Sequence, residues 1–396
     1  MTSLLITGIG ELTTNDEAHG ADAGDLGRLR DAAVVVEGDR VAWVGASASA
    51  PAADERFDAD GRAVLPGWVD SHTHMVFAGD RTDEFEARMA GEAYAAGGIN
   101  VTVDATRAAS DDELLAGLDR LADEALRGGT TAFETKTGYG LTVEDEVRSA
   151  RIASTRADSV TFLGAHLVPA GSDADEYVSL VCGEMLEAVA PLVDSIDVFC
   201  ERGAFDEAQS RRVLEAGRDA GLALRVHGNQ LGEGPGVRLA VELGAQSVDH
   251  VAFVSSDEIA MLAESWKTDA RGTVATVLPA CDLSTRMPLA PARDLLDAGA
   301  VVAIASNANP GTSYTTSMGF CVATAVLQMR LTVAEAVRAA TLGGAIALGL
   351  DGEIGRVRVG DRADLQMLDA PSVTHLAYRP GVPLTSAVWQ RGQRVV

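Results

Sequence analysis

The sequence predicts an α/β protein: a (β/α)8 TIM-type barrel carrying a small β-sandwich-like domain made from the N- and C-terminal segments. Three observations predict it. Eight short, β-branched, apolar runs recur between residues 64 and 349. Polar loops and amphipathic helical stretches follow them, and eight strand–helix units in series close a parallel barrel. The flanks, 1–60 and 351–396, carry only short strand patterns, and neither is long enough to bury a core alone. The expected organisation is therefore a composite β domain, 1–60 plus 351–396, beside a barrel over 61–350.

The eight runs are Val64–Val69, Thr130–Thr135, Ser159–Gly164, Ser195–Cys200, Leu222–Val226, Ser247–Val251, Gly272–Leu278 and Val301–Ala305. The clearest helical stretches are Asp111–Arg127, Val143–Ala157, Asp173–Val189, Glu207–Ala220, Asp257–Trp266 and Val333–Leu348. Three helix starts show capping boxes: Ser110 with Glu113, Ser255 with Glu258, and Thr332 with Glu335. In each, the hydroxyl caps a free N–H and the acid reaches back. At the ends, Leu4–Gly8, Ala33–Val36, Arg40–Gly45, Gly355–Val359, Ala363–Leu368 and Ala387–Arg391 read as strands.

Composition excludes several classes. The chain is 47% hydrophobic, which supports a large core and excludes disorder. No run approaches the ~18 apolar residues of a membrane span. Met1-Thr2-Ser3-Leu4 lacks a basic leader, so no secretory signal is expected. Cys182, Cys200, Cys281 and Cys321 show no CxxC spacing and suit buried thiols in a reducing, cytoplasmic setting. Lys+Arg 32 against Asp+Glu 58 gives a net charge of −26, which repels nucleic acid and anionic membranes. Only Lys136 and Lys267 are lysines. Acid excess with scarce lysine reads as a halophilic adaptation, in which salt screens self-repulsion, or as the arginine preference of a GC-rich genome.

Of seven histidines, His72, His74, His166, His227 and His250 fall at the C-terminal ends of expected strands, the face where such barrels carry chemistry. His19 and His375 lie outside the barrel and should be exposed. His72-Thr73-His74 alternates along a strand, so both imidazoles point to one side and can share a divalent metal. With His227 on the fifth unit, the pattern points to a metal centre.

These residues lie in segments that resemble the amidohydrolase superfamily, and within it the imidazolonepropionase family. The resemblance runs nearly end to end. Its segments are Leu65-Pro-Gly-Trp-Val-Asp-Ser-His-Thr-His-Met-Val-Phe-Ala-Gly-Asp-Arg81, Lys136-Thr-Gly-Tyr-Gly140, Phe162-Leu-Gly-Ala-His166 and Asp197-Val-Phe-Cys-Glu201. Asp249-His250, Asn309-Pro-Gly-Thr312 and Val359-Gly-Asp-Arg-Ala-Asp-Leu365 complete it. The resemblance implies a cytoplasmic homodimer that acts on a small molecule with one Zn or Fe ion. The reaction implied is hydrolysis of 4-imidazolone-5-propanoate to N-formimidoyl-L-glutamate. His72, His74 and His227 match metal ligands. Arg81 matches the residue gripping the propionate, and a guanidinium fork suits a carboxylate. Tyr139, His166 and Gln230 match substrate contacts. Asn309, Gly311 and Thr312 match the loop that holds the ring. His250 matches a proton-handling histidine, and His166 is expected to hold the ring carbonyl.

Two departures stand out. The family's metal-binding aspartate after strand 8 aligns with Asn307, which carries no charge and cannot serve as a base. The loop Gly91–Asn100 is shorter than the family's and puts a substrate contact from Tyr94 in question. Other readings are another cyclic-amide or amidine amidohydrolase, or a non-catalytic binding relative whose metal site decayed at Asn307. The halophilic reading predicts that the far-UV circular-dichroism signal collapses on dilution from molar KCl to ~10 mM. A constant signal would refute it.

Overall fold

The structure, a computed structural model, describes residues 2–19, 26–91, 98–268 and 271–396. Tyr94, most of its loop and the side chain of His19 lie outside the described residues.

Both ends of the chain contribute to one eight-stranded sheet. Its strands from the N-terminal side are β1 (Ser3–Thr13), β2 (Arg28–Glu37), β3 (Arg40–Ala46), β4 (Glu55–Asp58) and β5 (Ala63–Pro66). The barrel strands follow: β6 (Trp68–Asp70), β7 (Thr130–Lys136), β8 (Ser159–Ala165), β9 (Ser195–Cys200), β10 (Ala223–Gly228), β11 (Ser247–His250), β12 (Val274–Val277) and β13 (Val302–Ile304). β14 (Leu365–Leu368), β15 (Thr385–Gln390) and β16 (Gln393–Arg394) return to the terminal sheet. The terminal sheet runs β16-β15-β14-β5-β1-β2-β3, with β4 beside β1. Its apolar face gathers Ile6, Ile9, Leu12, Val34, Val64, Leu365 and Trp389.

The other sheet runs β13 back to β6 without interruption, and the ladders from β7 to β13 are parallel. β7, β8, β9 and β11 are buried at every position, as strands covered on both faces must be. A parallel bridge between Thr73 and Ala308 joins the first strand's extension to the last, so the barrel is nearly closed. By contact density the chain divides into two compact units: 1–70 with 123–132 and 317–396, and 71–122 with 133–316.

Seven of the eight expected barrel runs appear within one or two residues at most ends, and the rest differ for local reasons. Val64–Val69 is not one strand: Pro66–Gly67 divides it, with β5 in the terminal sheet and β6 in the barrel. Gly67 donates its N–H to Asp364 O, and a Cβ there would meet Thr131 Oγ1 at 2.1 Å, so only glycine fits the crossing. Gly355–Val359 forms no strand. Gly355 sits at φ +83°, and Val357 instead donates to Thr14 O. The helix expected over Asp173–Val189 bends at Gly183, whose φ of −112° and ψ of −108° are not helical. The three expected capping boxes form, and Asp206 with Gln209 makes a fourth that the serine/threonine pattern did not reveal. His375 is half-buried rather than exposed, with Nδ1 3.2 Å from Ser372 O. All four cysteines are free thiols.

On the helix Pro279–Thr285, which follows β12, burial raises the Asp282 carboxyl to about 7. Its Oδ2 accepts only the Ala290 N–H at 3.1 Å among the bonds described. The folded state therefore holds a proton that the unfolded state releases near 3.8, and stability from this group is lost as pH rises through about 7. Asp282→Asn keeps the shape without the charge. Its urea midpoint should match wild type at or below pH 3.8 and exceed it at pH 8. An equal difference at both pH values would reject this account.

Candidate active site

The site begins where β6 runs on as extended chain. Asn307 N donates to His72 O, His74 N to Ala308 O, and Lys136 N to Thr73 O, each at 2.9–3.0 Å. The segment is thus hydrogen-bonded on both sides, and the Thr73 side chain is pinned outward by a 2.6 Å bond to Glu134 O. His72 and His74 consequently face the same way. β10 supplies His227. The His74 Nε2 lies 3.3 Å from His72 Nε2 and 3.4 Å from His227 Nε2. The three rings are buried, and their ligand atoms form a cluster able to hold a metal ion.

That spacing fits a metal. A tetrahedral ion with nitrogen ligands at ~2.0–2.1 Å has edges of ~3.3–3.4 Å. Burial drives His72 and His74 well below their ordinary pKa, so their rings are neutral with lone pairs available. His72 Nδ1 lies 2.7 Å from Asp249 Oδ2 and donates to it, which turns Nε2 toward the cluster. His227 Nδ1 stands 3.0 Å from Asp197 Oδ2. Burial alone would raise both carboxyls. His227 and Lys136 hold Asp197 low, and Arg225 and Lys136 do the same for Asp249.

One cavity is lined by His74, His227, His250, His166, Tyr139 and Arg81, and also by Gln230, Asn307, Asn309 and Thr312. His72 and Gly311, by contrast, are not on its wall. His72 is fully buried, and Gly311 sits against Arg81: a Cβ there would meet Arg81 Nη1 at 2.1 Å. Arg81 is 6% exposed, so it is no surface ion pair. Glu84 grips one edge of it, accepting from Nε at 2.8 Å and Nη2 at 2.6 Å. Arg88 donates to Gly311 O at 3.0 Å and steadies the same corner.

The loops are held by local bonds. Asn309 Oδ1 accepts Gly311 and Thr312 N–H at 2.8 Å each, and its Nδ2 donates back to Asn307 O. Buried Glu146 accepts the Gly138, Gly140 and Leu141 N–H groups at 2.8–3.0 Å and so sets the turn that carries Tyr139. Glu201 accepts Gln230 and Leu231 N–H at 2.9 Å, so it positions a cavity residue. His166 Nδ1 donates to Gly138 O at 2.9 Å, and burial lowers the ring to about 4. Its neutral Nε2 is then an acceptor, which suits a ring N–H and not the expected ring carbonyl. His250 ends β11 at φ +82°, with a buried Nδ1 that has no hydrogen-bond partner among the described residues. Asn307 sits at φ +53° with its Oδ1 likewise buried and unpartnered. Cys200 is core, its thiol pushed up to about 11 by burial.

Sequence reasoning missed Glu134, Arg225 and Glu146, and gave Lys136, Asp197 and Asp249 no role. The available signal was charge inside otherwise apolar runs: Glu134 and Lys136 two apart on β7, Arg225 and His227 two apart on β10.

The fold and the site together define a barrel hydrolase with a histidine-based centre for a divalent metal. The family model for the amidohydrolase family matches residues 63–393. The imidazolonepropionase of Saccharopolyspora erythraea is 67% identical over 398 residues, covering 100% of this chain and 99% of that one. That of Arthrobacter sp. strain FB24 is 66% identical over 405 residues, covering 99% of each. A zinc-bound adenosine deaminase from Xanthomonas campestris shares the fold, with TM-score 0.74 at 22% identity over 99% of this chain and 92% of that one. The chain belongs to the amidohydrolase family and, within it, to the imidazolonepropionases.

His74→Ala or His227→Ala should weaken Zn2+ binding by more than the ~10–100-fold that loss of an outer hydrogen bond costs. Chelator competition on the purified chain measures this. Wild-type affinity in both variants would remove the trio as a metal centre.

Proposed function

We propose that this chain hydrolyses 4-imidazolone-5-propanoate to N-formimidoyl-L-glutamate in histidine degradation. One observation carries the reading: a single cavity contains both the Arg81 guanidinium, suited to a carboxylate tail, and the histidines that would surround the reacting carbonyl. A single Zn or Fe ion on His72, His74 and His227, with Asn307 Oδ1 as a neutral fourth donor, would polarise water and steady the developing oxyanion.

The chain's own residues do the rest. Arg81 binds the propionate and fixes the ring in place. Burial holds His250 well below its ordinary pKa, so it is neutral near pH 7 and able to accept a proton. It takes that proton from water as the oxygen adds to the ring carbonyl carbon. It returns the proton to the ring nitrogen as the C–N bond breaks, so one water is consumed and the ring opens. His166 Nε2 accepts a ring N–H, while Gln230, Asn309 and Thr312 complete the polar wall and Tyr139 the aromatic one. The barrel over 61–350 is the catalytic part of a cytoplasmic homodimer in this reading, which on that point rests on the family resemblance alone. The charge of −26 supports work in concentrated salt.

Asn307 favours a second reading, a binding relative with a weakened centre, because its amide supplies neither charge nor a base. Formation of formimidoylglutamate from freshly generated imidazolonepropionate, with Zn2+ or Fe2+ supplied, separates the two. We expect turnover in wild type. Arg81→Ala should raise KM far more than it lowers kcat, and only for substrates with the acid tail. His250→Ala should lower kcat by ~10²-fold or more. No turnover until Asn307→Asp is introduced would instead establish the second reading.

A further inference from the structure

Beneath the histidines the barrel interior is ionic. Lys136 is fully buried, and its Nζ lies 2.8 Å from Glu134 Oε1, 3.0 Å from Asp197 Oδ2 and 3.9 Å from Asp249 Oδ2. Glu134 also takes the Thr73 N–H at 3.1 Å and the Thr161 hydroxyl. Arg225 lies 3.8 Å from Asp249 and donates to Ser71 O at 2.7 Å, just before His72. Counted formally, three carboxylates and two cations leave one net negative charge among these buried side chains. Burying so many charges is costly unless their arrangement serves a purpose.

We propose that Lys136 is a positioning residue for the metal centre: its ammonium holds Asp197 and Asp249, and these orient the rings of His227 and His72. The proposal rests on the reading of the histidine trio as metal ligands. Three features support it. Lys136 meets both carboxylates that approach the Nδ1 atoms of ligand histidines. Glu134, its closest partner, also binds the backbone between His72 and His74. Finally, Lys136 is one of only two lysines in a chain with 32 Lys+Arg, and the other, Lys267, is exposed. A compact ammonium with three donors can serve three separate carboxylates from one point, whereas a planar guanidinium cannot fill that volume in the same way. The net negative charge below the site also offsets a cation that Asn307 does not neutralise.

The test uses the full chain with Zn2+ and Co2+ as probes. Lys136→Met alone strands three buried carboxylates and invites misfolding. Lys136→Met with Glu134→Gln removes one charge of each sign and leaves the buried total unchanged. Chelator competition reads the Zn2+ Kd, and the visible spectrum of the Co2+-loaded protein reads ligand geometry, which a merely structural role would not move. We expect the double variant to raise the Kd ~10–100-fold and to shift the Co2+ bands. Wild-type binding with an unchanged Kd and spectrum in the double variant would overturn the role of Lys136 while leaving the metal centre standing. A wild-type chain that binds neither ion would overturn the metal reading, and this proposal with it.

Discussion

Three buried imidazole nitrogens, with those of His72 and His227 each within 3.4 Å of His74 Nε2, are the constraint on which the rest of the structure depends. Lone pairs converging in a dry interior repel, and protonating the rings instead would gather positive charge there. Burial keeps the rings of His72 and His74 neutral, and groups on the far side of the trio aim them. Asp249 does this for His72, and Asp197 stands beside His227. His74 has no such partner among the described residues: its Nδ1 is buried without a hydrogen bond, and the backbone bonds of its strand extension hold it instead. The buried carboxylates, the lysine between them and the closure of the barrel through residues 72–74 and 307–308 all follow from that one convergence.

The substrate cavity is stiffened by a different device. Acidic side chains bind loop N–H groups rather than cations: Glu146 under the Tyr139 turn, Glu201 under Gln230. Each replaces missing backbone partners with charge-assisted bonds. Asn309 does the same with its amide and lets the glycine at 311 lie against Arg81. Several residues at the strand ends adopt left-handed backbone, among them Asn229, His250, Val251 and Asn307. Such conformations are costly for residues other than glycine and survive where surrounding bonds over-determine them.

Much of this was legible in the sequence. Alternation and capping residues located the barrel strands and most helix starts, because both signals are local. The histidines at strand ends could be grouped because barrel topology brings those ends together whatever the loops do. What was not legible depended on long-range geometry. Pro66–Gly67 looked like part of one apolar run, yet the tight approach of Thr131 divides it between two sheets. Gly355–Val359 has strand composition, but its backbone finds partners in Thr14 and Asn15, just past β1, rather than in a ladder. The tautomer of His166 was hidden for a subtler reason: it is set by Gly138 O, 28 residues away. The ionic layer was hidden because a charged residue in an apolar run carries no label saying what it faces.

The lysine distribution has a practical side. Amine-directed acylating reagents find a single side chain on the surface, Lys267, besides the chain's α-amino group, because Lys136 is sealed inside the barrel. The protein can therefore be tagged or tethered almost at one place, on a helix after β11, without touching the cavity. Slow appearance of a label on Lys136 would then count how often the barrel opens, giving each molecule an internal clock for its own unfolding.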